Sequence, residues 1–96
     1  MTIKETLAFH RTDVLGIAKQ HGAKRVRIFG SVARGTANAS SDLDLLIELE
    51  LGRTILDIVA IKQDLEELLK CHVDVVTEAS VSPHIMEAVL AEARDI

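Results

Sequence analysis

Aromatic residues and cysteine are almost missing from this sequence of 96 residues. It has two Phe, no Tyr and no Trp, so base stacking on aromatic side chains is nearly excluded as a way of binding nucleic acid. The single cysteine, Cys71, excludes an internal disulfide framework and a zinc site built from several cysteines. The hydrophobic fraction of 48% therefore consists mainly of Val, Ile, Leu and Ala, and the core must be aliphatic.

An excess of basic charge is lacking as well. Eleven Lys and Arg stand against 15 Asp and Glu, for a net charge of −4, whereas general nucleic-acid binders draw affinity from a basic surface. No apolar run approaches the ~18 residues of a membrane span, and no apolar run with a small-residue cleavage site follows the N-terminus. We therefore expect one cytoplasmic domain over residues 1–96, with no direct contact to nucleic acid or membrane.

Apolar spacing along the chain predicts the order helix, strand, short helix, strand, helix, strand, helix. The first helix is expected to run from Thr2 to Gly22, because Thr2 and Glu5 form a capping box and glycine is a typical terminator. Three strands are predicted, at Arg25–Phe29, Asp42–Leu49 and His72–Thr77. This order indicates an α+β or α/β layer architecture with a small three-stranded sheet flanked by helices.

Two longer helices are predicted in the second half of the chain. The first is capped by Thr54 and buries one aliphatic stripe, formed by Ile58, Ile61, Leu65, Leu68 and Leu69. The second begins at Ser82 and Pro83, a typical pair for an N-cap and a first helical position. Its apolar side is expected to consist of Ile85, Met86, Val89, Leu90 and Ala93.

Three acidic residues carry the clearest chemical signal. Asp42 and Asp44 are two positions apart on a predicted strand, so both side chains project from the same face. Close carboxylates repel each other unless a cation lies between them, and oxygen ligands suit Mg²⁺. Asp74 lies among valines on the next strand and joins this cluster if the two strands pair. An isolated DxD motif is more often a strand edge facing water, so the surrounding residues decide.

Gly30 and Ser31 stand where a predicted strand ends and a helix begins. Backbone N–H groups and the helix dipole at such a place can hold a phosphate, and a glycine lets the phosphate approach closely. A phosphate site and a Mg²⁺ site on adjoining strands suggest a site for a metal-bound nucleotide. Neither GxxxxGK[ST] nor GxGxxG occurs, which excludes a P-loop and a Rossmann fold.

The segment GSVARG at Gly30–Gly35, a short polar loop and the segment SDLDLL at Ser41–Leu46 resemble one family closely. They match the minimal nucleotidyltransferases of the DNA polymerase β-like superfamily, whose pattern is GSxARG, then SDxDLL, then a lone acid on the third strand. The resemblance runs from about Arg25 to Thr77. It implies the nucleotidyltransferase fold, with a small mixed sheet between helices.

The resemblance implies a role for each matching residue. Asp42, Asp44 and Asp74 would ligate Mg²⁺, with two ions in the active complex, and Asp74 would help deprotonate the attacking hydroxyl. Gly30 and Ser31 would hold the terminal phosphates of ATP, the substrate. An acceptor hydroxyl would attack the α-phosphate in line, and pyrophosphate would leave.

Several polar residues near these motifs have two interpretations. Arg34 would contact phosphate or a partner, or else form a salt bridge that fixes the loop. Ser41 would orient Asp42 or contact phosphate, or else cap the end of the loop. For Lys62 a solvated charge is favoured. A solvated surface is also favoured over triphosphate recruitment for the basic cluster of Lys24, Arg25 and Arg27.

The resemblance also implies a partner. Minimal nucleotidyltransferases of this size are typically encoded beside a small helical protein of the HEPN class, a toxic ribonuclease. The implied function is that of an antitoxin, a Mg²⁺-dependent adenylyltransferase that transfers AMP from ATP to a tyrosine of the toxin within a hetero-oligomer. One alternative is transfer to a small-molecule hydroxyl, which the lack of a second enclosing domain disfavours. The other is a non-catalytic binding antitoxin, which has no need of the three acids.

Overall fold

The computed structural model describes residues 2–38 and 40–96, and Ala39 in the predicted polar loop lies outside them. The helices are α1 (Ile3–Phe9), α2 (Arg11–Gln20), α3 (Gly30–Arg34), α4 (Ile55–Leu69) and α5 (Pro83–Glu92), with a 3₁₀ turn at Glu78–Ser80. The strands are β1 (Ala23–Phe29), β2 (Leu43–Leu49), β3 (Val73–Val76) and β4 (Arg94–Asp95). They form one sheet in the order β3-β2-β1-β4.

The N-terminal helix predicted as one piece is in fact two. The capping box of Thr2 and Glu5 is present, and Gly22 follows α2 with a φ of 85°, as expected of a glycine that ends a helix. Between them, His10 leaves the helical conformation with φ −98° and ψ 16°, and it ends α1 and begins α2. Because His10 is neither proline nor glycine, its residue type does not signal the break.

A fourth strand extends the predicted three-stranded sheet. β4 pairs antiparallel with Arg27 and Ile28 of β1, and the guanidinium of Arg25 donates to both carboxylate oxygens of Asp95 at 2.9 and 3.0 Å. A strand of two residues is too short to show alternation, which is why the pattern missed it. Since β2 is parallel to β3 and antiparallel to β1, the sheet is mixed, as the resemblance implies.

Strand β2 presents its side chains to two different faces, as its alternation predicts. The main core lies on one face against α2 and α4, and β2 contributes to it Leu43, Leu45 and Ile47. Leu46 points to the other face, where it packs with Met86 and Val89 of α5. Asp44 alternates with the core residues and therefore shares this second face with Leu46. The acidic residues thus lie beside the smaller of the two apolar clusters.

The two longer helices meet expectation to different degrees. Helix α4 has the Thr54 cap and buries Ile61, Leu65 and Leu69, as predicted. Helix α5 buries Met86 and Val89, but 56% of Ile85 and 41% of Leu90 are exposed. The predicted apolar side of α5 is therefore wider than the side that the helix buries. None of the helices in the described part of the chain is long and apolar enough to cross a membrane.

Removal of the α4 cap should lower the stability of the fold. The Thr54 hydroxyl oxygen accepts a hydrogen bond from the Leu56 N–H at 3.2 Å, so Thr54→Ala should reduce the free energy of unfolding by about 1 kcal/mol. Urea unfolding measures this loss. Thr54→Ser keeps the hydroxyl and should lose clearly less, whereas equal losses in both variants would mean that the cap bond is not the cause.

Candidate active site

Sheet pairing brings two of the predicted acids side by side. Asp44 of β2 is the register partner of Asp74 in the parallel strand β3, and the negative charge of Asp74 helps to raise the pKa of Asp44. The condition for Asp74 to join the acidic cluster, that the two strands pair, is thereby met. β3 is an edge strand, however, and the Asp74 side chain is 56% exposed. Asp74 therefore lies at the edge of the sheet, where water reaches its carboxyl group.

Asp42 completes the group from the loop that leads into β2. It is exposed, and it lies two positions before Asp44, just ahead of the first residue of β2. Its charge contributes to the raised pKa of Asp44. Within residues 2–38 and 40–96, no three His, Cys, Asp or Glu side chains stand in a ready metal-binding arrangement. The backbone thus brings the acids together, while their carboxylates are not converged on one point.

Asp44 is the electrostatically strained member of this group. Burial away from water, followed by the negative charges of Asp74 and Asp42, raises the pKa of Asp44 from its ordinary value of 3.8 to about 6. Its ionised form is therefore costly at neutral pH. A divalent cation held by these oxygens would remove that cost, and an oxygen-only donor set fits Mg²⁺.

Gly30 lies directly against Asp44. Its φ is 74°, and a Cβ at this position would collide with the Asp44 carboxylate. The preceding residue, Phe29, is the register partner of Asp44 on the neighbouring strand. A glycine is thus required here both for the positive φ and for room beside the acid. Its predicted contact with phosphate stays a prediction.

Glu92, at the end of α5, is a residue of this site that the sequence interpretation missed. Its carboxylate accepts a hydrogen bond from the Gly30 N–H at 2.8 Å and two from Arg34 at 3.0 and 3.2 Å. These bonds hold the pKa of Glu92 below its usual range, and the bond from the Gly30 N–H has the largest effect. An acid in the last turn of a helix opposes the helix dipole, and that placement was the available signal.

The structure shows the structural contacts that were one of the two interpretations for Arg34 and for Ser41. Arg34 forms the salt bridge with Glu92 while remaining about half exposed, so it fixes the turn after β1. The Ser41 hydroxyl accepts a hydrogen bond from the Asn38 N–H at 2.9 Å, which closes the end of the loop. Ser31 is half-buried at the start of α3. Whether Ser31, Ser41 and Arg34 also contact phosphate stays a prediction.

Lys62 is not the solvated charge that the sequence favoured. Its ammonium group donates to the Val73 carbonyl oxygen at 2.7 Å and lies 3.9 Å from the Asp74 carboxylate. In the basic cluster, two of the three side chains have acidic partners. Arg25 pairs with Asp95 at 2.9 Å, and Arg27 lies 3.5 Å from Glu78. These pairs disfavour the cluster as a recruiter of triphosphate.

The sequence is similar to a known protein family and to several known proteins. A family model described as a nucleotidyltransferase domain matches residues 12–96. A candidate protein adenylyltransferase of Methanocaldococcus jannaschii is 42% identical over 86 residues, which cover 90% of this chain and 92% of that protein. The protein adenylyltransferase MntA of Thermococcus cleftensis is 31% identical over 90 residues, which cover 94% of this chain and 88% of that protein.

Solved structures show the same architecture. A candidate minimal nucleotidyltransferase superposes with a TM-score of 0.89 at 50% identity, and the match covers 100% of this chain and 97% of that one. The crystal structure of a toxin–antitoxin with AMP-PNP gives a TM-score of 0.75 at 20% identity, covering 88% of this chain and 69% of that one. At the latter identity the likeness concerns the fold alone.

Neutralising Asp44 should stabilise the metal-free protein at neutral pH. Folding raises the pKa of this carboxyl from 3.8 to about 6. The raised pKa lowers the stability of the folded state fully at a pH above about 6, and it has no effect at a pH below 3.8. In EDTA at pH 7, Asp44→Asn should therefore gain about 1 kcal/mol, allowing for solvent screening of a partly exposed group. Urea unfolding at several pH values measures the difference.

The gain of Asp44→Asn should shrink as the pH falls from about 6 towards 3.8, because the folded wild type takes up its proton in that window. Glu50→Gln serves as the control, since it removes the same charge from the exposed residue just after β2. Its stability should change by less than about 0.5 kcal/mol. An Asp44→Asn variant no more stable than wild type at pH 7 would contradict the electrostatic account.

Proposed function

Because this chain belongs to the nucleotidyltransferase domain family, we propose that it is a Mg²⁺-dependent protein adenylyltransferase and an antitoxin. It transfers AMP from ATP to a tyrosine hydroxyl of a HEPN-class ribonuclease toxin in the cytoplasm. The observation that carries this proposal is the pairing of Asp44 with Asp74, next to Gly30 at the start of α3. The names of the two adenylyltransferase relatives support a protein as the acceptor.

The three carboxylates are the residues that would hold Mg²⁺, as two ions in the active complex. Asp44 interacts electrostatically with both other acids, while Asp42 and Asp74 are exposed and can turn towards a shared cation. When bound, Mg²⁺ supplies neutralisation of the triphosphate charge and activation of the acceptor oxygen. The crowding that raises the pKa of Asp44 supports this assignment, because cation binding relieves it.

The reaction forms one bond and breaks another at the α-phosphorus of ATP. The acceptor oxygen bonds to phosphorus, the bond from phosphorus to the bridging oxygen of the β-phosphate breaks, and pyrophosphate leaves with that electron pair. Asp74, exposed on the edge strand, accepts the proton of the hydroxyl. Most of the rate comes from holding acceptor and phosphate in line and from electrostatic stabilisation.

Ser31 and Arg34 are the groups proposed to bind the terminal phosphates, together with Gly30. The Gly30 N–H is engaged by Glu92 at 2.8 Å, so a phosphate at that atom must replace the Glu92 carboxylate. The guanidinium of Arg34 uses its Nη1 for Glu92, and its other N–H groups are suited to the same phosphate. Ser41, which closes the loop beside Asp42, is proposed to steady that acid.

A macromolecular acceptor suits the exposure of the site. Asp42 and Asp74 both lie at the surface, where a partner protein can bring its own hydroxyl to the phosphate. The chain has no Tyr, so it cannot modify a tyrosine of its own. Its net charge of −4 favours encounter with a basic, RNA-cutting partner. A basic toxin that cuts RNA is therefore the first partner to test.

The proposal is tested by mixing the purified chain, ATP, Mg²⁺ and the HEPN protein encoded by a neighbouring reading frame. Intact mass spectrometry should show the toxin gaining AMP, and fragmentation should place the group on tyrosine. Asp44→Asn should slow the transfer by more than about 100-fold. EDTA should abolish it.

Two other outcomes point to different functions. Neutralisation of the toxin by an Asp42→Asn/Asp44→Asn variant, with no adduct formed, would replace the proposal with an antitoxin that acts by binding alone. An AMP adduct on small-molecule hydroxyls but none on any protein would replace it with a small-molecule nucleotidyltransferase. Glu50→Gln, which removes an exposed carboxylate just beyond the far end of β2, is the control and should transfer AMP at the wild-type rate.

A further inference from the structure

Helix α4 holds the edge strand β3 by the backbone of one residue. Val73 lies immediately before Asp74, and its N–H donates to the Glu66 carboxylate at 3.0 Å. Its carbonyl oxygen accepts a hydrogen bond from the Lys62 ammonium at 2.7 Å. Lys62 and Glu66 are one helical turn apart and also pair with each other at 3.5 Å. We call these two side chains the α4 clamp.

The clamp satisfies backbone groups that the sheet leaves open. β3 is the edge of the sheet, and the two backbone groups of a strand residue point to the same side. Those of Val73 point outwards to α4, so those of Asp74 point inwards to β2. The Val73 side chain is fully buried in the main core. Val73 is therefore fixed by its side chain, its N–H and its carbonyl.

We propose that the α4 clamp positions Asp74 for metal binding, which makes Glu66 and Lys62 positioning residues of the nucleotidyltransferase site. This inference rests on the proposed function, since it takes Asp74 to be a metal ligand. When Val73 is held in place, the backbone groups of Asp74 point towards β2 and its side chain lies beside Asp44. A loosened edge strand would leave Asp74 too mobile to share a cation with Asp44.

The hydrogen bond to the Val73 N–H requires the length of the Glu66 side chain. The hydrogen bond from the Val73 N–H lowers the pKa of Glu66 most, and the charge of Lys62 lowers it further. The acceptor is therefore a carboxylate at neutral pH. Glu66→Gln keeps an acceptor oxygen at the same distance but removes the charge. Glu66→Asp keeps the charge but is one methylene shorter and cannot reach the Val73 N–H without a backbone shift.

Mn²⁺ titration of the full chain, followed by the electron paramagnetic resonance of free Mn²⁺, tests the inference without measuring catalysis. Glu66→Asp should bind Mn²⁺ about tenfold more weakly than wild type, whereas the conservative Glu66→Gln should stay within about twofold. The matched control is Glu67→Asp, an exposed change on the same helix that should bind as wild type does. Thermal unfolding of each variant confirms that it is folded.

The decisive arm repeats the comparison in an Asp74→Asn background. If Glu66 acts through Asp74, then Glu66→Asp should cause no further loss of Mn²⁺ affinity there. An equal loss in both backgrounds, or a loss in Glu66→Gln equal to that in Glu66→Asp, overturns the clamp. Wild-type Mn²⁺ binding that Glu66→Asp does not weaken overturns the clamp but leaves the proposed function standing. Absence of Mn²⁺ binding in the wild type overturns both.

Discussion

Asp44 and Asp74 lie side by side on neighbouring strands because the buried apolar residues that flank them fix the register of the two strands. Leu43 and Leu45 flank Asp44 and are fully buried, and so is Val73 beside Asp74. A slip of one residue in either strand would turn these side chains to the opposite face of the sheet. The aliphatic core therefore forces two like charges together, and the fold tolerates a carboxyl whose pKa is raised to about 6.

The rest of the site accommodates that crowding. Gly30 has no Cβ, which leaves space for the Asp44 carboxylate. Glu92 adds another negative charge nearby, and its bonds to Arg34 and to the Gly30 N–H offset that charge. On the outer side, the ammonium of Lys62 lies 3.9 Å from Asp74. The acids still outnumber these cations, which is the condition under which a divalent cation binds with most benefit.

Local patterns predicted a large part of this structure. The capping residues Thr2 and Thr54, the alternation of β2 and the stripe of α4 depend on neighbours within a few positions, and each was confirmed. The acidic and GS motifs led to the family, whereas the pairing of the two acidic strands was left open as a condition. The acids and Gly30 could thus be named before any coordinates were known.

What the sequence left out depends on contacts between distant residues. The bend at His10 has no glycine or proline to mark it, and β4 is only two residues long. Glu92 meets Gly30 across 62 positions, and no short pattern records such a contact. Lys62 looked like a solvated charge because its partner is a backbone carbonyl, which carries no sequence signature.

The central claim is that the crowded acids form a site for a divalent cation. Mn²⁺ added in trace amounts to the ¹⁵N-labelled chain broadens the amide signals of residues near the bound ion, and this measures its position directly. The account predicts selective broadening at Asp44, Asp74 and Gly30, and its loss in Asp44→Asn. Broadening centred on Glu50 and Asp57, at the other end of β2, would contradict the account.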